Sequence, residues 1–396
     1  MTIAALALTS APASASLREP PSTQAAVAKP PAPRGDLYQP PDPLPKKPAG
    51  TLIWAQKVTR PRLNPPATIW RILYHSRSRS GDDIAVSGFA IVPKAPAPSA
   101  EPRPVYAWAH GTVGQGDRCA PSHEIRDNLP PYGGQQIERG AVLVATDYEG
   151  LGTPGVPTYL DGVAEGHAVL DSVRAVATLP GAGSPGPVVL AGLSQGGGAA
   201  LWAAELAPSY APDLDVRGVV ALAPAAELTT IAAAIRTPPF DAFLGSALLA
   251  ADGLRAGYGK AFDPSSFLTK TALADLAKLS KECADATIGR WRGRSADELF
   301  THDLTEVPAI EEIFAENSPG AIDPGVPILL AQGDQDQQVP IDVSAQLEAR
   351  YCQLAANATR NVYAGVDHDG VVDAANDDVL AWITDRYDGT PAPAGC

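Results

Sequence analysis

Short apolar runs alternate with longer segments of helical period through most of this 396-residue chain. Two alternating runs, Thr68–Tyr74 and Ile84–Val92, open the pattern and predict an antiparallel, hairpin-like pair of strands. Continuous apolar runs follow at Val105–Ala109, Ala141–Thr146, Val188–Ala191 and Val219–Ala223, which read as buried strands. Helical patterns cover Glu165–Thr178 and the segment after Ser194. Such alternation predicts right-handed crossovers, a mostly parallel sheet flanked by helices, and a site at the carboxyl ends of the strands.

The strand rhythm stops between Glu227 and Ile322, where helical patterns such as Asp241–Ala251, Thr271–Cys283 and Ser295–Thr301 take over. It resumes with the buried run Val326–Gln332 and the short strand Asn361–Ala364. The expected organisation is therefore an α/β core of residues 51–228 and 323–396 with a helical cap of residues 229–322. Pro238-Pro239-Phe240 and Leu244–Leu249 are apolar enough to line a pocket beneath the cap, or simply to pack on the core. Residues 1–50 hold 11 of the 40 prolines with much alanine and serine, and read as a processed, flexible leader outside the fold.

The strand–helix boundary at Val188–Trp202 carries Gly192-Leu-Ser-Gln-Gly196, a G-x-S-x-G turn with Ser194 at its tip. A serine hydroxyl is a poor nucleophile until a base takes its proton and an oxyanion hole receives the developing charge. Both partners have candidates in the loops that follow later strands. Gly333-Asp334-Gln335-Asp336 comes first, and Asp367-His368-Asp369 lies about thirty residues on. The order Ser, Asp, His is that of the α/β-hydrolase fold. His368 is the candidate base; taken alone, its acidic flanks suit a solvated loop histidine equally well. Asp336 is preferred as the acid because Val339-Pro340 after it reads as the turn into the next helix, and Asp334 is the alternative. Gln195, the residue after the nucleophile, supplies one oxyanion-hole N–H. The other is expected from the glycine loop His110-Gly111-Thr112, with Thr112 the first choice and Gly111 the second. His110 is read as ordering that loop.

These motifs resemble the secretory lipases of the fungal lipase-A type, a family with many bacterial members. The likeness runs from Tyr106 to the C-terminus through Cys119-Ala-Pro-Ser, Asp147-Tyr-Glu-Gly-Leu-Gly, Gly166-His-Ala-Val-Leu-Asp, the long elbow-plus-helix Ala191–Pro212, Asp336-Gln-Gln-Val-Pro and His368. It implies an α/β-hydrolase fold with a helical cap between the sixth and seventh core strands, hydrolysis of carboxylic esters and no cofactor. It supports Ser194, Asp336 and His368 position by position. The chain departs at His110-Gly111-Thr112, where the family's fungal members carry an acidic residue and this stretch resembles ordinary esterases.

Four cysteines, Cys119, Cys283, Cys352 and Cys396, show no C-x-x-C spacing or histidine clustering, which disfavours zinc and suits two disulfides in an oxidising compartment. Sequence leaves three pairings open; the family resemblance implies Cys119–Cys283 and Cys352–Cys396. Met1–Ser16 is apolar and rich in small residues, with Ala13-Ser14-Ala15 fitting a signal cleavage site though no basic segment precedes it. It is read as the end of a longer signal peptide rather than a plain tail, so the protein is expected to be secreted.

A hydrophobic content of 45% suffices for a large core, and no run approaches the ~20 apolar residues of a membrane span. The net charge of −14 argues against nucleic acid or an anionic membrane as partner. A monomer acting on a small-molecule or lipid ester, with transient contact at a lipid interface, is the expected form. A peptidase or acyltransferase would share the same triad. A non-catalytic binding protein would be expected to lack the base or the acid, and this chain has both.

Overall fold

The computed structural model describes residues 29–97 and 102–396. The proposed cleavage site at Ala13–Ala15 lies outside them. Nine strands, β1 (Leu52–Val58), β2 (Ala67–Arg77), β3 (Asp83–Pro93), β4 (Val105–Ala109), β5 (Val142–Thr146), β6 (Val188–Leu193), β7 (Val216–Leu222), β8 (Ile328–Gly333) and β9 (Ala358–Tyr363), form one sheet. Their order is β1-β2-β3-β5-β4-β6-β7-β8-β9. The first three pair antiparallel, β3 joins β5 antiparallel, and every later pairing is parallel. The strands β4 and β5, apolar but for Thr146, are buried along their whole length, as a parallel sheet covered on both faces requires.

The helices are α1 (Gly133–Glu138), α2 (Gly162–Val176), α3 (Gln195–Tyr210), α4 (Leu228–Ala234), α5 (Gly245–Tyr258), α6 (Lys270–Leu279), α7 (Ala284–Trp291), α8 (Ala296–Leu299), α9 (Pro308–Glu316), α10 (Ile341–Gln353), α11 (Val371–Ala374) and α12 (Asn376–Tyr387). Helices α2, α3 and α10 cover one face of the sheet, whereas α1, α11 and α12 cover the other. Helices α4–α9 lie between β7 and β8, which are the sixth and seventh strands when counted from β2. They enclose an apolar core of their own around Trp291, Phe267, Leu248 and Leu254, with the Trp291 indole N–H donating to Asp275 at 3.0 Å.

Two features of the N-terminal region differ from expectation. Strand β1 precedes the first strand read from the sequence; Gln56 and Lys57 interrupt its apolar pattern, and pairing with β2 rather than alternation secures it. Residues 29–50 are not outside the fold. Leu37 and Tyr38 are buried against Leu73, Tyr38 hydrogen-bonds Ser122 at 2.9 Å, and the Ala55 and Gly50 amides donate to Pro31 and His75 carbonyls. Proline richness removes amide donors but leaves carbonyls free to accept, so two apolar anchors suffice to dock this segment on a sheet edge.

The disulfides are Cys119–Cys283 and Cys352–Cys396. The first fastens α7 to the segment after β4, reinforced where Gln115 and Gly116 donate to the Glu282 carbonyl and Ala284 donates to Val113. At the other end of the insertion, Leu228 N donates to Ser318 Oγ at 3.0 Å and the Trp202 indole to the Asn317 carbonyl at 3.2 Å.

Three buried carboxyls and one half-buried carboxyl set a pH dependence of stability. Burial pushes Asp147 up to about 6, Glu149 and Glu205 to about 7 and Glu165 to about 8. Each folded-state value lies above that of the unfolded chain, so the contribution is complete below about pH 4 and lost as pH rises through the folded values. Considering these groups, the melting temperature is expected to be higher at pH 5.5 than at pH 8.5. Scanning calorimetry across that range checks it, and a melting temperature that climbs toward pH 8.5 contradicts it.

Candidate active site

Ser194 sits between β6 and α3 with φ 58° and ψ −120°, a conformation that serine rarely adopts and that lifts its side chain clear of both elements. Its backbone is held on both sides: Ser194 N donates to Leu222 O at 2.8 Å, and Ser194 O accepts from Ala225 N at 2.9 Å. The flanking glycines are sterically required, since a Cβ on Gly196 would stand 1.9 Å from the Ala109 carbonyl oxygen and one on Gly192 would stand 2.1 Å from that of Gly196.

His368 follows β9 and Asp336 follows β8. The two loops are pressed together so closely that a Cβ on Gly333 would lie 2.0 Å from the Val366 carbonyl oxygen. His368 Nδ1 meets Asp336 Oδ2 at 2.7 Å, both side chains buried. The other carboxylate oxygen accepts from Gln338 N at 2.8 Å and Val339 N at 2.9 Å, while Gln332 Nε2 donates to Oδ2 at 3.3 Å. Asp334 is exposed and accepts from Gly365 N at 2.7 Å, so it ties the two loops together without touching His368. Gln332 is a site residue that sequence reading missed. Its one signal is a polar side chain inside the apolar run of β8, where it is fully buried and also donates to the Val339 carbonyl.

Ser194 and His368 line one open cleft, together with Gly111, Thr112, Asn128 and Arg292. No hydrogen bond joins Ser194 Oγ to the imidazole among the described residues. The loop after β4 passes beside the serine, where a Cβ on Gly111 would lie 3.8 Å from that of Ser194. Among the described residues, neither the Thr112 nor the Gln195 backbone N–H donates to a protein acceptor, and Gln195 opens α3, where the helix dipole is positive. His110 is buried, its Nδ1 2.6 Å from the Gly111 carbonyl oxygen; burial lowers its pKa to about 4, which keeps the ring neutral. Among the described residues, no group of three or more His, Cys, Asp or Glu side chains is placed to hold a metal ion.

A second, apolar cavity opens from Ser194 and Thr112 into the α4–α9 insertion, lined by Leu228, Ile231, Ile235, Phe243, Phe262 and Phe300 among others. The segments expected to line it do so only in part. Pro238 and Pro239 are exposed, and Leu244, Leu248 and Leu249 turn into the core of the insertion. The face of α5 toward the cavity presents Ser246, Ala247, Ala250, Ala251 and Leu254 instead. Ser246, Ala247, Ala250 and Ala251 there leave the space that larger side chains would fill. A strained serine turn thus shares an open cleft with an imidazole–carboxylate pair, beside two backbone amides without protein acceptors and the mouth of an apolar cavity.

The family model for secretory lipases matches residues 134–395, from before β5 to the C-terminus. This chain belongs to the secretory lipase family. Among its relatives, a probable inactive lipase of Mycobacterium tuberculosis is 26% identical over 346 residues, spanning 82% of this chain and 75% of that protein. Lipase 1 of Candida albicans is 25% identical over 358 residues, spanning 83% and 73%. The fold is also that of solved structures. Candida antarctica lipase A in its closed state superposes with a TM-score of 0.78 at 22% identity, over 91% of this chain and 88% of that one. The rice cell wall degrading esterase LipA of Xanthomonas oryzae, in a ligand-bound form, superposes with a TM-score of 0.72 at 20% identity, over 87% and 100%. Membership of the secretory lipase family, with this α/β-hydrolase fold, places the chain in a family of hydrolases of the lipase and esterase class.

Proposed function

We propose that this secretory lipase family member is a secreted serine esterase of carboxylic esters that acts through an acyl-enzyme. The observation that carries the reading is the 2.7 Å contact of His368 with Asp336 beside a serine held on a strained turn. His368 Nε2 takes the Ser194 proton as Oγ bonds to the ester carbonyl carbon, and the Thr112 and Gln195 amides receive the oxyanion. The imidazolium returns that proton to the leaving alkoxide, and a water repeats the sequence to release the acid. The acyl chain occupies the apolar cavity and the alcohol leaves through the open cleft. Helices α4–α9 act as the cap over the acyl chain. The name of the mycobacterial relative raises the non-catalytic alternative. A binding protein has no use for a buried carboxylate aligned on an imidazole, and this chain has the nucleophile, base and acid together.

Initial rates on nitrophenyl esters from acetyl to palmitoyl test the reading. The expected optimum is at medium chain length, with a weak rise in rate on passing the substrate's solubility limit, because a chain of net charge −14 with few aromatics has little to hold it at a lipid surface. Smooth saturation with no turnover beyond butyryl would remove the lipase half and leave the esterase half. No turnover of any ester would remove both.

A further inference from the structure

Glu165, on the first turns of α2, is 2% exposed and points one oxygen at two donors. Its Oε1 accepts from Gln195 Nε2 at 2.6 Å and from Leu160 N at 3.0 Å. Gln195 carries one of the two backbone N–H groups assigned above to the oxyanion. Leu160 has φ 63°, in the left-handed region that leucine rarely adopts, and its neighbour Tyr159 reaches Thr112 Oγ1 through its hydroxyl at 2.8 Å. A single carboxyl oxygen therefore fastens the side chain of the residue that carries one amide donor and the segment that buttresses the other.

Resting on the esterase reading above, we propose that Glu165 is the positioning residue of the oxyanion hole, holding Gln195 and Thr112 in register for the tetrahedral intermediate. The charges around it bear on its protonation. Asp161, the N-cap of the same helix, carries like charge and is itself paired with Arg79 at 3.1 Å; the Tyr148 and Tyr159 hydroxyls lie close by, and His110 and Asp147 line the same small cavity. No cation pairs with Glu165 among the described residues. Burial, with Asp161 adding to it and the Gln195 and Leu160 bonds opposing, pushes its carboxyl up to about 8. At neutral pH it is consequently a neutral acceptor, placing no negative charge behind the oxyanion. Ionisation adds that charge in a low-dielectric setting, where it opposes the intermediate.

Steady-state kinetics of the full chain on nitrophenyl butyrate between pH 6 and 9.5 test this, with melting temperatures measured alongside. The wild-type kcat is expected to decline as pH rises through about 8. Glu165→Leu is expected to lower kcat at pH 7 by about 10²-fold with KM little changed, as displacement of an oxyanion donor does. Glu165→Gln, which keeps an acceptor oxygen and cannot ionise, is expected to recover kcat at pH 7 to within about threefold and to remove the alkaline decline. If Glu165→Leu does not fold, Tyr159→Phe and Gln195→Leu break the two arms separately, and each is expected to lower kcat rather than raise KM. A Glu165→Leu enzyme with wild-type kcat overturns the proposal, as does a Glu165→Gln enzyme that keeps the alkaline decline. A wild type inactive on every ester overturns the esterase reading itself, a result distinct from either.

Discussion

Ser194→Ala is expected to abolish ester hydrolysis, with kcat falling by roughly 10⁴- to 10⁶-fold, while the protein folds as before. The chemical part rests on function acting as a unit: without the hydroxyl, His368 and Asp336 have no proton to move. The structural part rests on what the side chain leaves behind. Among the described residues the Ser194 hydroxyl makes no hydrogen bond, and its backbone, held by Leu222 and Ala225, is unchanged by alanine, whose Cβ occupies the same strained position. The melting temperature should accordingly stay within a few degrees of wild type. A fluorophosphonate should label the wild type once, on Ser194, and leave Ser194→Ala unlabelled. Labelling at another residue, or a variant that keeps its turnover, would assign the nucleophile elsewhere.

Asp336→Asn is expected to cost about 10⁴-fold in kcat, and Asp334→Asn less than about threefold. The hydrogen bonds around Asp336 decide the size of the effect. Oδ1 accepts from two backbone amides, Gln338 N and Val339 N, so an asparagine keeps its carbonyl oxygen there and turns its NH₂ toward His368 Nδ1. Nδ1 must then accept, the proton moves to Nε2, and the ring is in the tautomer that cannot take a proton from serine. Asp334→Asn keeps an oxygen for Gly365 N and meets no imidazole. Rates of both variants at pH 7.5, with melting temperatures to exclude misfolding, give the ranking; the reverse order would transfer the acid role to Asp334.

What the chain makes legible is local. The G-x-S-x-G turn, the apolar runs of β4–β8 and the loss of strand rhythm after β7 depend on residues within about a dozen positions of one another, where periodicity and backbone sterics act directly. The helices of the insertion show the limit of that signal: the period marks α5 and α6, but which face of α5 looks into the cavity depends on what packs behind Leu244, Leu248 and Leu249. Two aspartates stand two residues apart in the same loop; Val339-Pro340 favours Asp336 in the sequence, but its contact with His368 exists only once the two loops pack, Gly333 against Val366. The docking of Leu37 and Tyr38 is likewise settled by partners far along the chain, since a proline-rich composition carries no periodicity to announce a buried anchor. Glu165 belongs with these. In sequence it is one acid at the start of a helix, an ordinary place for a carboxylate facing the helix dipole. Only tertiary packing buries it and sets Gln195 and Leu160 against one of its oxygens. Short-range sterics and periodicity are properties of the chain, whereas hydrogen-bond partners and the dielectric around a charge exist only once distant segments have met.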